Sequence, residues 1–470
     1  MNWTIGQVAD ALSASFTGGG GRVAGYSIDS RSLSQGEMFF AVRAERDGHD
    51  FVAGAFEQGA CAAVVALDWP APPELAGKAL LRVADPRQAL ADLARAQRRA
   101  WGGSLLAVTG SAGKTTFKDA AAAMLAAKYR TARTAGNLNN DLGVPLTILR
   151  MAEDAEVAVV EMGMNHAGEI RGLARIAEPN IGVVTNVSHA HVGAFESVEG
   201  VALAKRELIE ELGPRGTAVL NADDPRVRSF DEVHSGPVVT YSVAAPADYQ
   251  ATEIEALPGG GSRFGLKREG RDTGLEFQTR LPGAHNVSNI AGAIAAAAVL
   301  EIEPAELQTV VAELQPGNHR GQTRRLGGIT VIDDCYNSNP AAVETMLRDL
   351  ASRPAARRIA VLGEMRELGA ASKDLHQRVG VAAAQAGLDL HVAVEGDAKW
   401  IAEAAAAAGM ARAQVRFVKD AVAAGAALVE LLADGDTVLL KGSRGVRLEK
   451  ALDRIVAAFD HEEAVAQGAE

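Results

Sequence analysis

At 470 residues the chain is too long for one core of ordinary size, and roughly two to four domains are expected. With 48% hydrophobic and 23% charged residues, no apolar run of the roughly 18 residues that span a bilayer, and a start, Met1-Asn2-Trp3-Thr4-Ile5, without the basic and apolar regions of a leader, the sequence reads as a soluble cytoplasmic protein with no membrane insertion. A net charge of −12 without a basic cluster excludes nucleic acid and anionic membrane as primary partners, so positive charge near any motif becomes informative.

Residues 1–84 read as a small α/β unit, with a helix near Ile5–Ser13 and strands around Val23–Ile28 and Glu37–Val42. Within it, Ser30 and Arg31 follow Asp29. Arg31 beside a hydroxyl suits a phosphate or a uracil, and it equally suits a surface ion pair closing a turn. The glycines 18–21 have neither strand nor helix around them and read as a loop.

An alanine- and arginine-rich helix from about 85 to 100 follows a break at Asp85-Pro86 and leads into the most informative stretch. There a short apolar run, Leu105–Val108, precedes Thr109-Gly110-Ser111-Ala112-Gly113-Lys114-Thr115-Thr116, and a helical segment, Phe117 to Lys128, follows. In such a loop backbone amides and a helix N-terminus converge on phosphates, while a lysine supplies charge and a hydroxyl reaches Mg²⁺. Gly110, Ser111, Ala112, Gly113, Lys114, Thr115 and Thr116 are the candidate nucleotide contacts. Val108 stands where the general eight-residue pattern has glycine, so the match is to a shorter form.

The central region, 85–316, then repeats a βα rhythm, with strands expected at Leu105–Thr109, Val157–Glu161, Ile181–Asn186 and Thr217–Asn221. That period implies a parallel sheet with ligands at the carboxyl ends of its strands. Glu161 closes one strand, where an unpaired buried carboxylate would be expensive, and it reads as a metal ligand. Thr185 to His191 closes another, and His191 is a candidate Mg²⁺ or outer ligand. Asn137, Asn139 and Asn140 after Gly136 suit either a sugar or peptide contact or a turn. From about 237 to 282 the alternation shortens and an antiparallel insertion is expected. Asn286 and Asn289 then share one helix face.

A third βα series, 317–470, is Rossmann-like in period but lacks the dinucleotide glycine fingerprint. Three of its strand ends carry polar clusters: Asp333 to Pro340, Gly363-Glu364-Met365, and Lys441-Gly442-Ser443-Arg444. The two cysteines, Cys61 and Cys335, are too few for a disulfide framework or a zinc site and read as ordinary thiols.

Along nearly its whole length the chain resembles the Mur ligases of bacterial cell-wall synthesis. The shortened glycine loop is similar to the form shared by that family and by folylpolyglutamate synthetases. Gly136 to Asn140 with Gly143-Val144-Pro145-Leu146-Thr147, Glu161-Met162-Gly163, Asp334 to Pro340 and Lys441 to Arg444 resemble the branch that adds D-alanyl-D-alanine. Cys335 departs from it, standing where serine is commoner.

The resemblance implies an α/β protein of three domains: an N-terminal one for the uridine nucleotide, a central ATPase with a parallel sheet, and a Rossmann-like C-terminal one that closes over the site. It implies ATP and Mg²⁺ as cofactors, UDP-N-acetylmuramoyl-tripeptide and D-alanyl-D-alanine as substrates, and a monomer. It gives catalytic roles to Lys114, Glu161, His191 and Lys205, with Thr115, Glu161, His191 and a carbamate on Lys205 around the metal. Asn289, Arg320 and Asp334 fall to the nucleotide. Ser30, Arg31, Asn137, Asn139, Asn140, Tyr336, Asn337, Asn339, Lys441, Ser443 and Arg444 fall to substrate. Three rivals are a ligase of the same superfamily adding the third amino acid, a phosphate-loop ATPase that makes no bond, and an inactive nucleotide-binding scaffold.

Overall fold

Three β-sheets organise the chain, in a computed structural model that describes residues 3–190, 192–257 and 260–460. His191 lies outside the described residues, so the role expected of it has no geometry here.

The first sheet takes β1 (Ser15–Thr17), β2 (Gly25–Ser27), β3 (Glu37–Phe40), β4 (Ala62–Ala66) and β5 (Leu80–Val83) in the order β1-β5-β4-β3-β2. Strands β2 to β5 are parallel, and β1 runs against β5. The helix before them, Ile5–Ala11, is held at its start by a reciprocal cap. Thr4 Oγ1 accepts from the Gln7 amide at 3.2 Å, and Gln7 Oε1 accepts from the Thr4 amide at 2.9 Å. Glycines 18–21 form a loop, as expected.

Helix Pro86–Trp101 joins the first sheet to the second. Asp85 accepts from the Arg87 amide at 2.8 Å, Pro86 occupies the first turn where no amide is needed, and Gly102 closes the helix at φ 69°. Leu90 and Leu93 on this helix are wholly buried, each contributing roughly 1.5–3 kcal/mol. One continuous apolar core runs from Val8, Tyr26 and Phe40 through these leucines to Leu105, Ala107 and Val160.

The second sheet holds β6 (Ser104–Thr109), β7 (Thr131–Arg133), β8 (Val157–Glu161), β9 (Ile181–Val184), β10 (Thr217–Asn221), β11 (Val238–Ser242), β12 (Tyr249–Ala256), β13 (Ser262–Arg268) and β14 (Arg271–Thr279). Its order is β14-β13-β12-β11-β10-β9-β6-β8-β7. The chain builds outward from β6 on one side through β8 and β7, then crosses to β9 on the other. That reversal opens a crevice at the carboxyl ends of β6, β8 and β9, where ligands bind in such sheets. The segment expected to be an antiparallel insertion is an extension of this sheet. Strand β11 pairs parallel with β10 and with β12, and only β12 to β14 are antiparallel.

The third sheet contains β15 (Gln322–Leu326), β16 (Ile329–Asp334), β17 (Arg357–Gly363), β18 (Leu390–Val394), β19 (Val415–Val418) and β20 (Asp436–Lys441) in the order β15-β16-β20-β17-β18-β19. All but β15 are parallel. Helices cover both faces with separate cores, and Val192 of the central region sits in one of them.

Candidate active site

Strand β6 ends in the glycine loop, and two glycines make its path possible. At Gly113, φ is 82°, and a Cβ there would lie 2.4 Å from Asn289 Oδ1. A Cβ on Gly110 would meet Thr185 Oγ1 at 1.8 Å. The loop is stitched to the end of β9. Asn186 Oδ1 accepts from the Ala112 amide at 2.9 Å, and Thr185 Oγ1 donates to Ala112 O at 2.6 Å. Ser188 N donates to Ser111 Oγ at 2.9 Å, while Ser188 Oγ is buried with no partner among the described residues.

The helix that follows, Lys114–Leu125, has no side-chain cap, so its first amides point into the loop unsatisfied. With the helix dipole they form a site for anionic oxygens. Lys114 Nζ donates to Gly110 O at 2.7 Å across the loop. Burial lowers its pKa and Arg320 adds to that, while Glu161 and Glu367 oppose it. A lysine in such a place discards little hydration when it takes a phosphate.

Glu161, 3% exposed at the end of β8, is fixed on both oxygens. Thr115 Oγ1 donates to Oε2 at 2.8 Å, and Asn139 Nδ2 donates to Oε1 at 2.9 Å. Thr134 Oγ1 accepts from its amide at 3.0 Å, and the buried Lys118 holds Thr134 O at 3.1 Å. Hydroxyl and carboxylate oxygens converging beside a phosphate-binding loop are the hard donors that Mg²⁺ takes. Lys205, on helix Val198–Glu210, is 2% exposed. Burial depresses its pKa well below the lysine norm, and the neighbouring charge of Lys114 adds to this.

The expected asparagines divide. Asn139 reaches Glu161, Asn140 Oδ1 accepts from the Gly143 amide at 2.8 Å as a turn cap, and the Asn137 side chain is exposed. Asn289 lies against Gly113, while Asn286 Nδ2 donates to Pro282 O at 2.8 Å.

In the third sheet the register pairs Asp334 of β16 with Lys441 of β20, and Lys441 Nζ donates to Asp334 Oδ2 at 2.6 Å and to Asn337 O at 3.1 Å. Arg320 stacks 3.9 Å above the Tyr336 ring, with Arg444 at 5.9 Å. Ser443 Oγ accepts from the Arg366 amide at 2.9 Å, and Asn339 caps helix Pro340–Ser352. In the first sheet Arg31, its side chain 85% exposed, is paired with Asp29 at 2.7 Å. The guanidinium holds the Asp29 carboxyl at about 2. The turn is therefore closed by the ion pair, and Ser30 lies beside it.

Sequence reasoning passed over Thr134, Lys118 and Glu367, while Asn186 fell inside the strand-end segment Thr185 to His191 without a role of its own. Thr134 and Lys118 carry no motif of their own. Glu367 follows the strand-end segment Gly363-Glu364-Met365, and that position was its one signal.

Known families recognise most of the chain. The Mur ligase middle domain matches residues 108–297, the Mur ligase glutamate ligase domain matches 319–444, and the Mur ligase family catalytic domain matches 22–98. A UDP-N-acetylmuramoyl-tripeptide–D-alanyl-D-alanine ligase of Bacillus subtilis (strain 168) is 34% identical over 444 residues, 92% of this chain and 93% of that protein. The chain belongs to the Mur ligase family. Among solved structures, this Mur ligase is similar to MurF from Acinetobacter baumannii, with a TM-score of 0.89 and 28% identity over 97% of this chain and 99% of that one. It is also similar to the MurF ligase of Thermotoga maritima in complex with ADP, with a TM-score of 0.82 and 26% identity over 93% and 98% of the two chains.

Proposed function

We propose that this Mur ligase joins D-alanyl-D-alanine to UDP-N-acetylmuramoyl-tripeptide at the expense of ATP. The observation that carries the reading is the phosphate-binding loop with its neighbours: Lys114 Nζ spans the loop to Gly110 O at 2.7 Å, and Thr115 Oγ1 and Glu161 Oε2 converge beside it at 2.8 Å. The B. subtilis and A. baumannii relatives support the substrate pair, and the ADP complex of the T. maritima relative supports the nucleotide.

A carboxylate resists attack by an amine because oxide is a poor leaving group. Its oxygen attacks the γ-phosphorus of ATP, the bond to ADP breaks, and an acyl phosphate results. The amine nitrogen then attacks the acyl carbon, phosphate departs, and the amine gives up a proton. Lys114 and the uncapped amides of helix Lys114–Leu125 neutralise charge on the transferring phosphoryl group. Arg320, over Tyr336, brings a second positive charge from the closing side. Thr115, Glu161, His191 and Lys205 as its carbamate would hold magnesium, which supplies charge neutralisation to the phosphate oxygens when bound. The carbamate has a physical basis: CO₂ adds to an uncharged amine, releasing one proton, and burial beside Lys114 favours the uncharged form of Lys205.

Phosphate release tests the proposal, measured with ATP and UDP-N-acetylmuramoyl-tripeptide, with and without D-alanyl-D-alanine. Release that depends on the dipeptide is expected. Equal release without it would replace the ligase with a non-ligating ATPase.

A further inference from the structure

Cys335 is not an isolated thiol. Asp333 lies in β16 and Cys335 directly follows that strand's last residue, Asp334; the contact between Cys335 Sγ and Asp333 Oδ1 puts both side chains on one face. The hairpin with β15 pairs Gln322 with Asp333 and so returns the preceding linker over that face. His319 closes the group. Its Nδ1 lies 2.8 Å from Asp333 Oδ2 and 3.6 Å from Cys335 Sγ, and Sγ lies 3.0 Å from Asp333 Oδ1. One ligand atom from each residue falls within 4.8 Å of the others.

Backbone geometry holds the group together before any ligand arrives. His319 sits at φ 57°, in the left-handed region that histidine tolerates better than most side chains, and its carbonyl accepts from the Tyr336 amide at 3.1 Å. Asp333 is 0% exposed, whereas the His319 side chain is 29% exposed and gives a path to solvent. For a tetrahedral zinc-type ion with one sulfur and two harder ligands, ligand atoms stand about 3.3–3.6 Å apart. The sulfur–nitrogen separation has that value already. The two short contacts of Asp333 use its two different oxygens, so binding through either one keeps its near partner, which moves out by about 0.5 Å when the shared proton gives way to an ion, and the remaining pair closes from within 4.8 Å.

We propose that His319 Nδ1, Asp333 and Cys335 Sγ form a binding site for a thiophilic divalent cation of the zinc type, with solvent in the fourth position. On binding, the Cys335 thiol proton leaves to solvent and the sulfur becomes an anion, while the proton that His319 Nδ1 shares with Asp333 leaves Nδ1 and the neutral imidazole carries its one proton on Nε2. Arg324, 3.6 Å from Asp333, opposes the incoming charge, and the new thiolate offsets it. Thiolate and imidazole select such an ion over Mg²⁺. The site lies outside the phosphate-binding apparatus but borders it, because His319 precedes Arg320 and Cys335 lies between Asp334 and Tyr336. An ion there pins the linker between the second and third sheets to β16, and should inhibit turnover.

Cobalt titration of the full-length protein in excess Mg²⁺ tests this. One equivalent of Co²⁺ should produce a thiolate-to-metal charge-transfer band that Zn²⁺ abolishes and Mg²⁺ does not. Cys61→Ser should retain the band and Cys335→Ser should lose it, while His319→Gln should weaken binding about tenfold or more. No band in the wild-type protein would overturn the proposal, as would a band that survives in folded Cys335→Ser. Because the wild-type spectrum decides by itself, a misfolded variant does not leave the matter open.

Discussion

Gly193→Val places a branched side chain where position 193 of the central region meets only backbone of the C-terminal region. A Cβ at position 193 would lie 2.7 Å from Gly369 N and 3.0 Å from Glu367 O, and no side-chain rotation relieves either. Two contributions define what closure loses. The Gly193 amide donates to Glu367 O at 3.1 Å, a bond of about 1 kcal/mol. Val192, 6% exposed, is buried in the C-terminal core, about 1.5–3 kcal/mol more. The added methyls meet backbone that cannot yield, so both contacts go together. The sum, roughly 2.5–4 kcal/mol, disfavours the closed arrangement on the order of 10²–10³-fold. Since this junction helps bring the C-terminal residues against the phosphate-binding loop, kcat should fall by at least about tenfold. The remaining apolar residues of the two cores do not cross the contact, so circular dichroism should be unchanged and ADP should bind within about threefold of wild type. Small-angle scattering should show a larger radius of gyration under saturating ligands. Wild-type kcat with a wild-type radius would refute the reasoning.

Lys114→Ala should lower turnover more than about tenfold, 1.4 kcal/mol of barrier, with the fold intact by circular dichroism. Retention of a larger fraction would count against the phosphate role. In Lys205→Ala most activity should disappear, and short carboxylates should restore part of it by supplying the missing anion. Full activity at saturating Mg²⁺ would reject the carbamate. Stability should also fall with acid through His376, whose Nε2 accepts from the Met365 amide at 3.0 Å and whose Nδ1 donates to Ser372 O at 2.7 Å. Burial holds its pKa below 6.5, so as pH falls the unfolded chain takes the proton first and stability declines below about 6.5. Urea unfolding should show this slope flattened in His376→Gln, and equal slopes would exclude His376 as the origin.

Much of this architecture is readable because parallel strands buried on both faces write themselves as apolar runs. Strand β8 was expected and found at Val157–Glu161, and β18 and β19 at Leu390–Val394 and Val415–Val418. Glu161 was legible for the same reason, as a charge where such a run stops. Partners distant in sequence were not. That Asn139 rather than Asn140 reaches Glu161 depends on which way a short turn faces, and Glu367 O meets the Gly193 amide only through the docking of another sheet. The shared sheet of β10 to β14 was hidden because local alternation reports exposure and says nothing of which strand lies alongside. Cys335 read as an ordinary thiol because His319 approaches it through a hairpin, and counting cysteines does not see that.

The helix Pro86–Trp101 has a consequence for how this chain can be taken apart. Its leucines belong to a core that also contains residues of the first and second sheets, and Arg150 Nε ties the two by donating to Tyr26 O at 3.1 Å. The first 84 residues are therefore no interchangeable cassette. Grafting a different N-terminal unit onto residues 85–460 would require the donor's contact surface to fit Leu90, Leu93 and Leu146, while excision would leave that apolar face in water and invite aggregation. Recombination of such ligases should succeed at the linker near 315–321, where few core side chains cross, and fail near residue 85.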